Sequence, residues 1–161
     1  MRLIGFNAAP EAEAVAALVA CCSSPEWARQ VARARPYRTV DALVSAADAA
    51  LAGLDEGEVD AALAGHPRIG ERSGHTSSQR EQAVVAAADA DVLAGLAAGN
   101  REYEERFGHV YLVCADGRPA AELLAVLRGR LGNEPDEERR VLRGELSRIT
   151  AIRLRRLLED Q

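Results

Sequence analysis

The sequence predicts an all-α fold, a single compact bundle of about eight helices with one short extended segment. Aromatic residues make up only 4% of the 161 residues and hydrophobic residues 48%, so the core must consist mainly of Ala, Leu and Val. This composition favours closely packed helices over a β-sandwich. Apolar residues also recur at helical spacing along most of the chain. The one β-branched apolar run, residues 110–114, is too isolated to indicate a sheet.

Helix-start residues divide the first half of the chain into four predicted helices. Pro10 opens the first, because proline fits the first helical position. The side chains of Ser24, Thr39 and Asp55 are expected to cap the next three. Gly65 is expected to end the fourth in the left-handed conformation that glycine adopts most readily.

Four further helices are predicted in the second half. Thr76 and Ser78 both offer a cap for the fifth, which should continue as one helix to about residue 88. The sixth runs from about residue 91 to residue 106 and is ended by Gly108. Pro119 starts the seventh, and Pro135 starts the last and longest, through about residue 159. No internal repeat or linker is found, so residues 1–161 are expected to form a single domain.

The charge of the chain excludes several classes of function. The net charge of −5 argues against a nucleic-acid partner, which requires a basic surface. All 20 basic residues are arginines. A chain without lysine cannot form a Schiff base through lysine, anchor pyridoxal phosphate or supply the lysine of a P-loop.

Cysteine usage and hydropathy indicate where the protein resides. The three cysteines lack zinc-ligand spacing, and no histidine pair suited to a metal lies on one helix face, so no metal site is predicted. We expect buried thiols in a reducing compartment. The first residues lack the apolar core of a signal peptide, and no apolar run approaches the roughly 18 residues that a membrane span requires. We therefore expect a cytoplasmic protein of bacterial type with no membrane partner.

The stretch from His66 to Gln82 is the leading candidate for a functional site. His66 follows a predicted helix end, and Pro67 prevents the helix from continuing. Imidazole has an ordinary pKa near 6.5, so His66 can accept or donate a proton at neutral pH. A purely structural histidine beside a helix end remains the alternative.

A hydroxyl, a carboxylate and an amide follow at the start of the fifth predicted helix. If Thr76 and Gln79 cap that helix, the side chains of Ser78, Glu81 and Gln82 are available to a ureido or amide-rich ligand. The alternative is that Ser78 and Glu81 themselves form the capping box.

Arg153 differs from the other arginines in its apolar neighbours, Ile149, Ile152 and Leu154. We expect it to point inward, where a guanidinium requires an anionic partner. That partner is either a carboxylate of the ligand or a glutamate of the chain, and both alternatives remain open. His75 and His109, the two other histidines, are expected to be structural or exposed.

Several short motifs, taken in order, resemble one known family. They are Ser24-Pro25-x-Trp27, Arg35-Pro36-Tyr37, His66-Pro67-Arg68-Ile69-Gly70, Ser78-x-x-Glu81-Gln82, Asn100-x-x-Tyr103-x-x-x-Phe107-Gly108 and Ile149-x-x-Ile152-Arg153-Leu154. Their order and spacing resemble 2-oxo-4-hydroxy-4-carboxy-5-ureidoimidazoline (OHCU) decarboxylase of urate degradation. The resemblance covers nearly the whole chain.

The resemblance implies an all-α homodimer that uses neither a metal nor an organic cofactor. Its small-molecule substrate would be the ureidoimidazoline carboxylate, which loses CO2 and is protonated on one face to give (S)-allantoin. By position, His66 would carry the proton and Glu81 would orient His66 or the substrate. Arg153 would hold the departing carboxylate or the charge left behind. The remaining contacts implied for the substrate are Pro67, Ser78, Gln82, Tyr111, Leu112, Val113, Cys114 and Ala115.

The chain departs from the animal form of the pattern in two places. Arg68-Ile69 replaces an acidic-Leu pair after His-Pro, and His109-Val110 replaces Phe-Pro after Phe-Gly. Two other functions remain open. One is a decarboxylase that acts on a related ureido acid, and the other is a non-catalytic helical module that binds ureido or purine catabolites. A bare helical scaffold is a third reading.

Overall fold

The computed structural model describes residues 1–71 and 76–159, and this part of the chain contains ten helices and no strand. The helices are α1 (Leu3–Ala8), α2 (Glu11–Val19), α3 (Pro25–Arg33), α4 (Val40–Ala52), α5 (Glu56–Ala64), α6 (Thr76–Glu81), α7 (Ala83–Ala86), α8 (Ala90–Phe107), α9 (Ala120–Arg130) and α10 (Pro135–Glu159). The predicted all-α fold is confirmed.

Local capping explains where three of these helices begin. The side chains of Ser24, Thr39 and Asp55 precede α3, α4 and α5, and each accepts a hydrogen bond from the backbone amide three residues further on. The three distances lie between 2.9 and 3.1 Å. Each cap satisfies an amide that has no partner within the helix.

The described residues contain two more helices than the eight predicted, for two reasons. The short helix α1 was not predicted, because six residues are too few to show a period. The predicted fifth helix is two helices, α6 and α7, which are separated at Gln82 (φ −99°, ψ 9°). Residues 110–114, the predicted extended segment, have no regular secondary structure.

The chain divides into two compact units. The first comprises residues 1–65 together with α10 from Ser147 onward, and the second comprises His66–Leu146. The single domain predicted over residues 1–161 stays a prediction.

In the first unit, α3 packs against both α2 and α4. Trp27 of α3 is fully buried, and its indole Nε1 donates a hydrogen bond to the Ala47 carbonyl at 2.9 Å. This bond satisfies the polar end of a large apolar side chain, which makes full burial favourable.

In the second unit, α8 packs closely against α9. Gly99 makes this approach possible, since a Cβ atom there would lie 2.6 Å from Cδ2 of Leu127. The core that results is apolar and is completed by part of the irregular segment. Its members are Ile69, Val85, Leu96, Tyr103, Tyr111, Val113, Ala115, Ala120, Leu123, Leu124 and Leu127.

The longest helix, α10, carries charged residues throughout its 25 residues. Across the described ranges, none of the helices combines the length and the hydropathy that crossing a membrane would require.

Candidate active site

His66 lies two residues beyond the end of α5, with Gly65 between them. Gly65, the intervening residue, has right-handed backbone angles (φ −83°, ψ −1°), so the predicted left-handed cap is wrong. Glycine is required there for space instead. A Cβ atom at Gly65 would lie 2.7 Å from Cβ of Ser23 and closer still to its hydroxyl oxygen. His66 and Pro67 are both half-buried.

Gln82 supports the loop that follows His66. Its side-chain carbonyl accepts a hydrogen bond from the Gly70 amide at 2.9 Å, and its NH2 group donates to the Arg68 carbonyl at 3.4 Å. Both ends of the amide therefore contact the loop, which gives a physical reason for the helix break at this residue. The predicted contact between Gln82 and a ligand stays a prediction.

Helix α8 also binds this loop. Asn100 is buried and donates a hydrogen bond to the Ile69 carbonyl at 3.0 Å. The Arg68 guanidinium forms two hydrogen bonds with the Glu104 carboxylate, at 2.5 and 3.0 Å. Arg68 is one of the residues at which the chain departs from the animal pattern, and here it ties the histidine loop to α8.

Ser78 and Glu81 lie on α6 and are 2% and 9% exposed. Because the helix begins at Thr76, Ser78 lies within its first turn and does not occupy the capping position. His75, which was expected to be structural or exposed, falls outside the described residues. Burial of a carboxylate is costly unless it has polar or charged neighbours, so the placement of Glu81 favours a specific role for it.

Residues 111–115 form the segment that we call the wall. Tyr111, Leu112, Val113 and Ala115 are buried, and Cys114 is half-buried. Burial raises the pKa of the Cys114 thiol, and the negative charges of Glu145, Asp116 and Glu81 raise it further. The thiol is therefore protonated at neutral pH, and the Glu81 carboxylate lies within electrostatic reach of the wall.

A buried ionic network lies behind the wall. Nε and Nη2 of Arg130 donate to Oε1 of Glu138 at 2.7 and 2.5 Å, and the Tyr103 hydroxyl donates to the same oxygen at 2.5 Å. Asn133 donates to the other carboxylate oxygen at 3.0 Å. The Arg130 guanidinium carbon lies 4.8 Å from the ring centroid of Tyr111. With these partners the buried charge of Glu138 is compensated.

This network was not predicted from the sequence. Leu123, Leu127 and Arg130 are spaced four and three residues apart, which places Arg130 on the apolar face of α9. This spacing is the feature of the sequence that could have predicted a buried Arg130.

Arg153 belongs to the first unit and is described there. It is 8% exposed, as the apolar neighbours predicted, and its Nη1 lies 3.5 Å from the Cys21 carbonyl, to which it donates. Its positive charge also acts on Cys22, whose pKa is raised by burial and lowered in part by Arg153. His109 is half-buried and stacks on Phe107, which fits the predicted structural role.

The second unit thus contains all of the predicted site residues except Arg153. The loop after His66 contacts Gln82 directly, and Glu81 precedes Gln82 in the chain and acts electrostatically on the wall. Among residues 1–71 and 76–159, no three His, Cys, Asp or Glu side chains are grouped so that they could hold a metal ion.

Comparisons with known proteins agree on one family. A family model described as OHCU decarboxylase matches residues 7–155. The uric acid degradation bifunctional protein TTL of Arabidopsis thaliana is 29% identical over 149 residues, which are 88% of this chain and 46% of that protein. The 2-oxo-4-hydroxy-4-carboxy-5-ureidoimidazoline decarboxylase of Amia calva is 32% identical over 90 residues, 56% of this chain and 51% of that protein. The chain spans about half the length of these curated relatives.

Solved structures show the same fold. A crystal structure of OHCU decarboxylase in the presence of (S)-allantoin matches with a TM-score of 0.80 and 29% identity, covering 88% of this chain and 96% of that chain. A crystal structure of (S)-allantoin synthase matches with a TM-score of 0.75 and 17% identity, covering 98% of this chain and 54% of that chain. At that identity the second likeness concerns the fold alone.

Proposed function

Because the chain belongs to the OHCU decarboxylase family, we propose that it decarboxylates 2-oxo-4-hydroxy-4-carboxy-5-ureidoimidazoline and protonates the product to (S)-allantoin. The observation that carries this proposal is the support of the histidine loop. Two side chains, Gln82 and Asn100, bind the backbone that follows His66, and the buried residue Glu81 precedes Gln82 in the chain. A proton carrier whose loop is held in one position suits a stereospecific proton transfer.

The reaction breaks the bond between the carboxylate carbon and the ring carbon. The electron pair of that bond is delocalised from the ring carbon into the adjacent imine of the substrate. The substrate therefore supplies its own electron sink. The protein needs to hold the carboxylate, stabilise the developing charge and deliver one proton to one face of the ring.

The residues divide these tasks. His66 delivers the proton, a role that contributes about 10²–10⁴-fold to the rate. Glu81 orients His66 or the substrate, while Ser78 and Gln82 bind the polar atoms of the ureido group or the ring. Pro67 and the wall enclose the substrate, and Arg153 holds the carboxylate or the charge that replaces it.

The assembly and location belong to the same proposal. We propose a homodimer, as the resemblance implies, in a bacterial cytoplasm, where the three thiols stay reduced. Sedimentation equilibrium at several protein concentrations measures the mass of the assembly. A mass of one chain at micromolar concentration would contradict the dimer.

The function is tested by forming the unstable substrate in place. Urate is converted by urate oxidase and hydroxyisourate hydrolase, and circular dichroism is followed as this protein is added. Spontaneous decay gives racemic allantoin and therefore little final optical signal. We expect a fast rise of the (S)-allantoin signal. A trace identical to the control would refute the proposal, and (S)-allantoin binding without turnover would then favour a non-catalytic module.

A further inference from the structure

The wall needs partners for its backbone that regular secondary structure does not supply. Buried amide and carbonyl groups are nearly always hydrogen-bonded. Here charged side chains provide the bonds. Nη1 of Arg130 donates to the Leu112 carbonyl at 2.7 Å, the Cys114 amide donates to the Glu145 carboxylate at 3.0 Å, and Nη1 of Arg118 donates to the Cys114 carbonyl at 3.2 Å.

The three side chains differ in how firmly they are held. Arg130 is fixed by the buried network with Glu138 and is 6% exposed. Glu145 is 8% exposed and lies on α10. Arg118 is nearer the surface, where its guanidinium also binds the Glu122 carboxylate at 2.9 Å. Two of the bonds to the wall therefore come from buried side chains, and the third comes from a more exposed arginine that can be changed without opening the core.

The bonds to Leu112 and Cys114 lie on either side of Val113. The amide donor and carbonyl acceptor of Val113 match the paired N–H and C=O groups of a ureido substituent. The orientation of Val113 is set by the bonds made on either side of it.

We propose that Glu145 is a positioning residue for the substrate wall, which it orients through the Cys114 amide, with Arg118 and Arg130 fixing the adjoining carbonyls. This inference rests on the proposed function, because the wall acts on a substrate only if the chain is the decarboxylase. Glu145 acts on the ligand only through the backbone of the wall. Its loss should therefore weaken binding of the substrate and of the transition state to a similar extent. Such uniform binding affects KM more than kcat.

The bond itself is tested without substrate by hydrogen exchange at the Cys114 amide, measured by NMR. Glu145→Ala removes the acceptor, and we expect exchange about tenfold faster or more, as for loss of a hydrogen bond to a charged group. Glu145→Gln keeps an acceptor oxygen of the same reach and should exchange nearly as the wild type does. Equal exchange rates in Glu145→Ala and the wild type would overturn the proposal.

The effect on the reaction is tested by steady-state kinetics on variants whose melting curves show that they are folded. Glu145→Ala and Arg118→Ala should raise KM about threefold to tenfold and change kcat by less than about twofold. Glu145→Gln should restore KM. Glu122→Ala is the matched control, since it removes the surface partner of Arg118 and leaves the wall untouched, so its KM should equal that of the wild type.

Two kinetic results would overturn the proposal. One is an unchanged KM in Glu145→Ala, and the other is a fall in kcat at constant KM. An inactive wild-type chain would refute the proposed function instead. The exchange experiment would still decide whether Glu145 holds the wall, so the two failures are distinguishable.

Discussion

Gly65 connects α5 to the candidate catalytic histidine, and its replacement by alanine gives a quantitative test of how tightly this junction is packed. The new Cβ atom would lie 2.7 Å from Cβ of Ser23. Rotation of the Ser23 hydroxyl cannot relieve that contact, because the Cβ atom does not move with it. The backbone must therefore shift, and overpacking of this kind costs about 1–3 kcal/mol of unfolding free energy.

For a chain of this size, that loss lowers the melting temperature by about 2–12 °C. The matched control is Gly144→Ala. Gly144 is exposed within α10, with no atom in reach of a Cβ, so alanine should stabilise by about 0.5–1 kcal/mol. Both variants are measured by urea unfolding followed by circular dichroism.

Removing the Ser23 side chain tests whether its contact with the new Cβ atom causes the loss of stability. The double variant Gly65→Ala, Ser23→Gly should recover about 1–3 kcal/mol relative to the sum of the single variants. If Gly65→Ala is as stable as the wild type, or if the double variant recovers nothing, then the contact with Ser23 is not the reason for glycine at this position.

Three further predictions concern the site and the core around it. Glu81→Ala should lose most of the decarboxylation rate at an unchanged helical spectrum, and a near wild-type rate would remove Glu81 from the mechanism. Asn100→Ala leaves the Ile69 carbonyl without its donor, so urea unfolding should show a loss of about 1–3 kcal/mol; a loss below that range would mean that water replaces the donor. Burial and the hydrogen bond to Glu138 raise the pKa of Tyr103, so the stability that its protonated phenol contributes is complete below the ordinary pKa near 10 and is lost as the pH rises above it. Above pH 10, the unfolding free energy of Tyr103→Phe should therefore fall less steeply with pH than that of the wild type, by roughly 1.4 kcal/mol per pH unit. Equal slopes of unfolding free energy against pH in the two proteins would contradict a raised pKa of Tyr103.

Features set by neighbouring residues in the sequence were predicted correctly. Ser24, Thr39 and Asp55 cap their helices because each side chain reaches an amide only three residues away. The inward direction of Arg153 followed from its immediate apolar neighbours. Such contacts are local, so the sequence contains all the information that they require.

Features set by distant residues were missed or wrong. Gly65 was expected to cap α5 in the left-handed conformation, whereas glycine is required there by the limited space beside Ser23, which is far earlier in the chain. The break at Gln82 accompanies bonds to a loop twelve and fourteen residues earlier. The pairing of Arg130 with Glu138 joins two helices, and the charge of each residue alone is typical of a solvated face.

The most direct measurement compares wild type and His66→Ala in the coupled urate assay, with the final circular dichroism of the allantoin recorded as well as its rate of formation. We expect the variant to retain the helical spectrum and to lose about 10²-fold or more of the rate, with product as racemic as in spontaneous decay. A folded His66→Ala protein that still forms (S)-allantoin at the wild-type rate would contradict the assignment of His66 as the proton carrier.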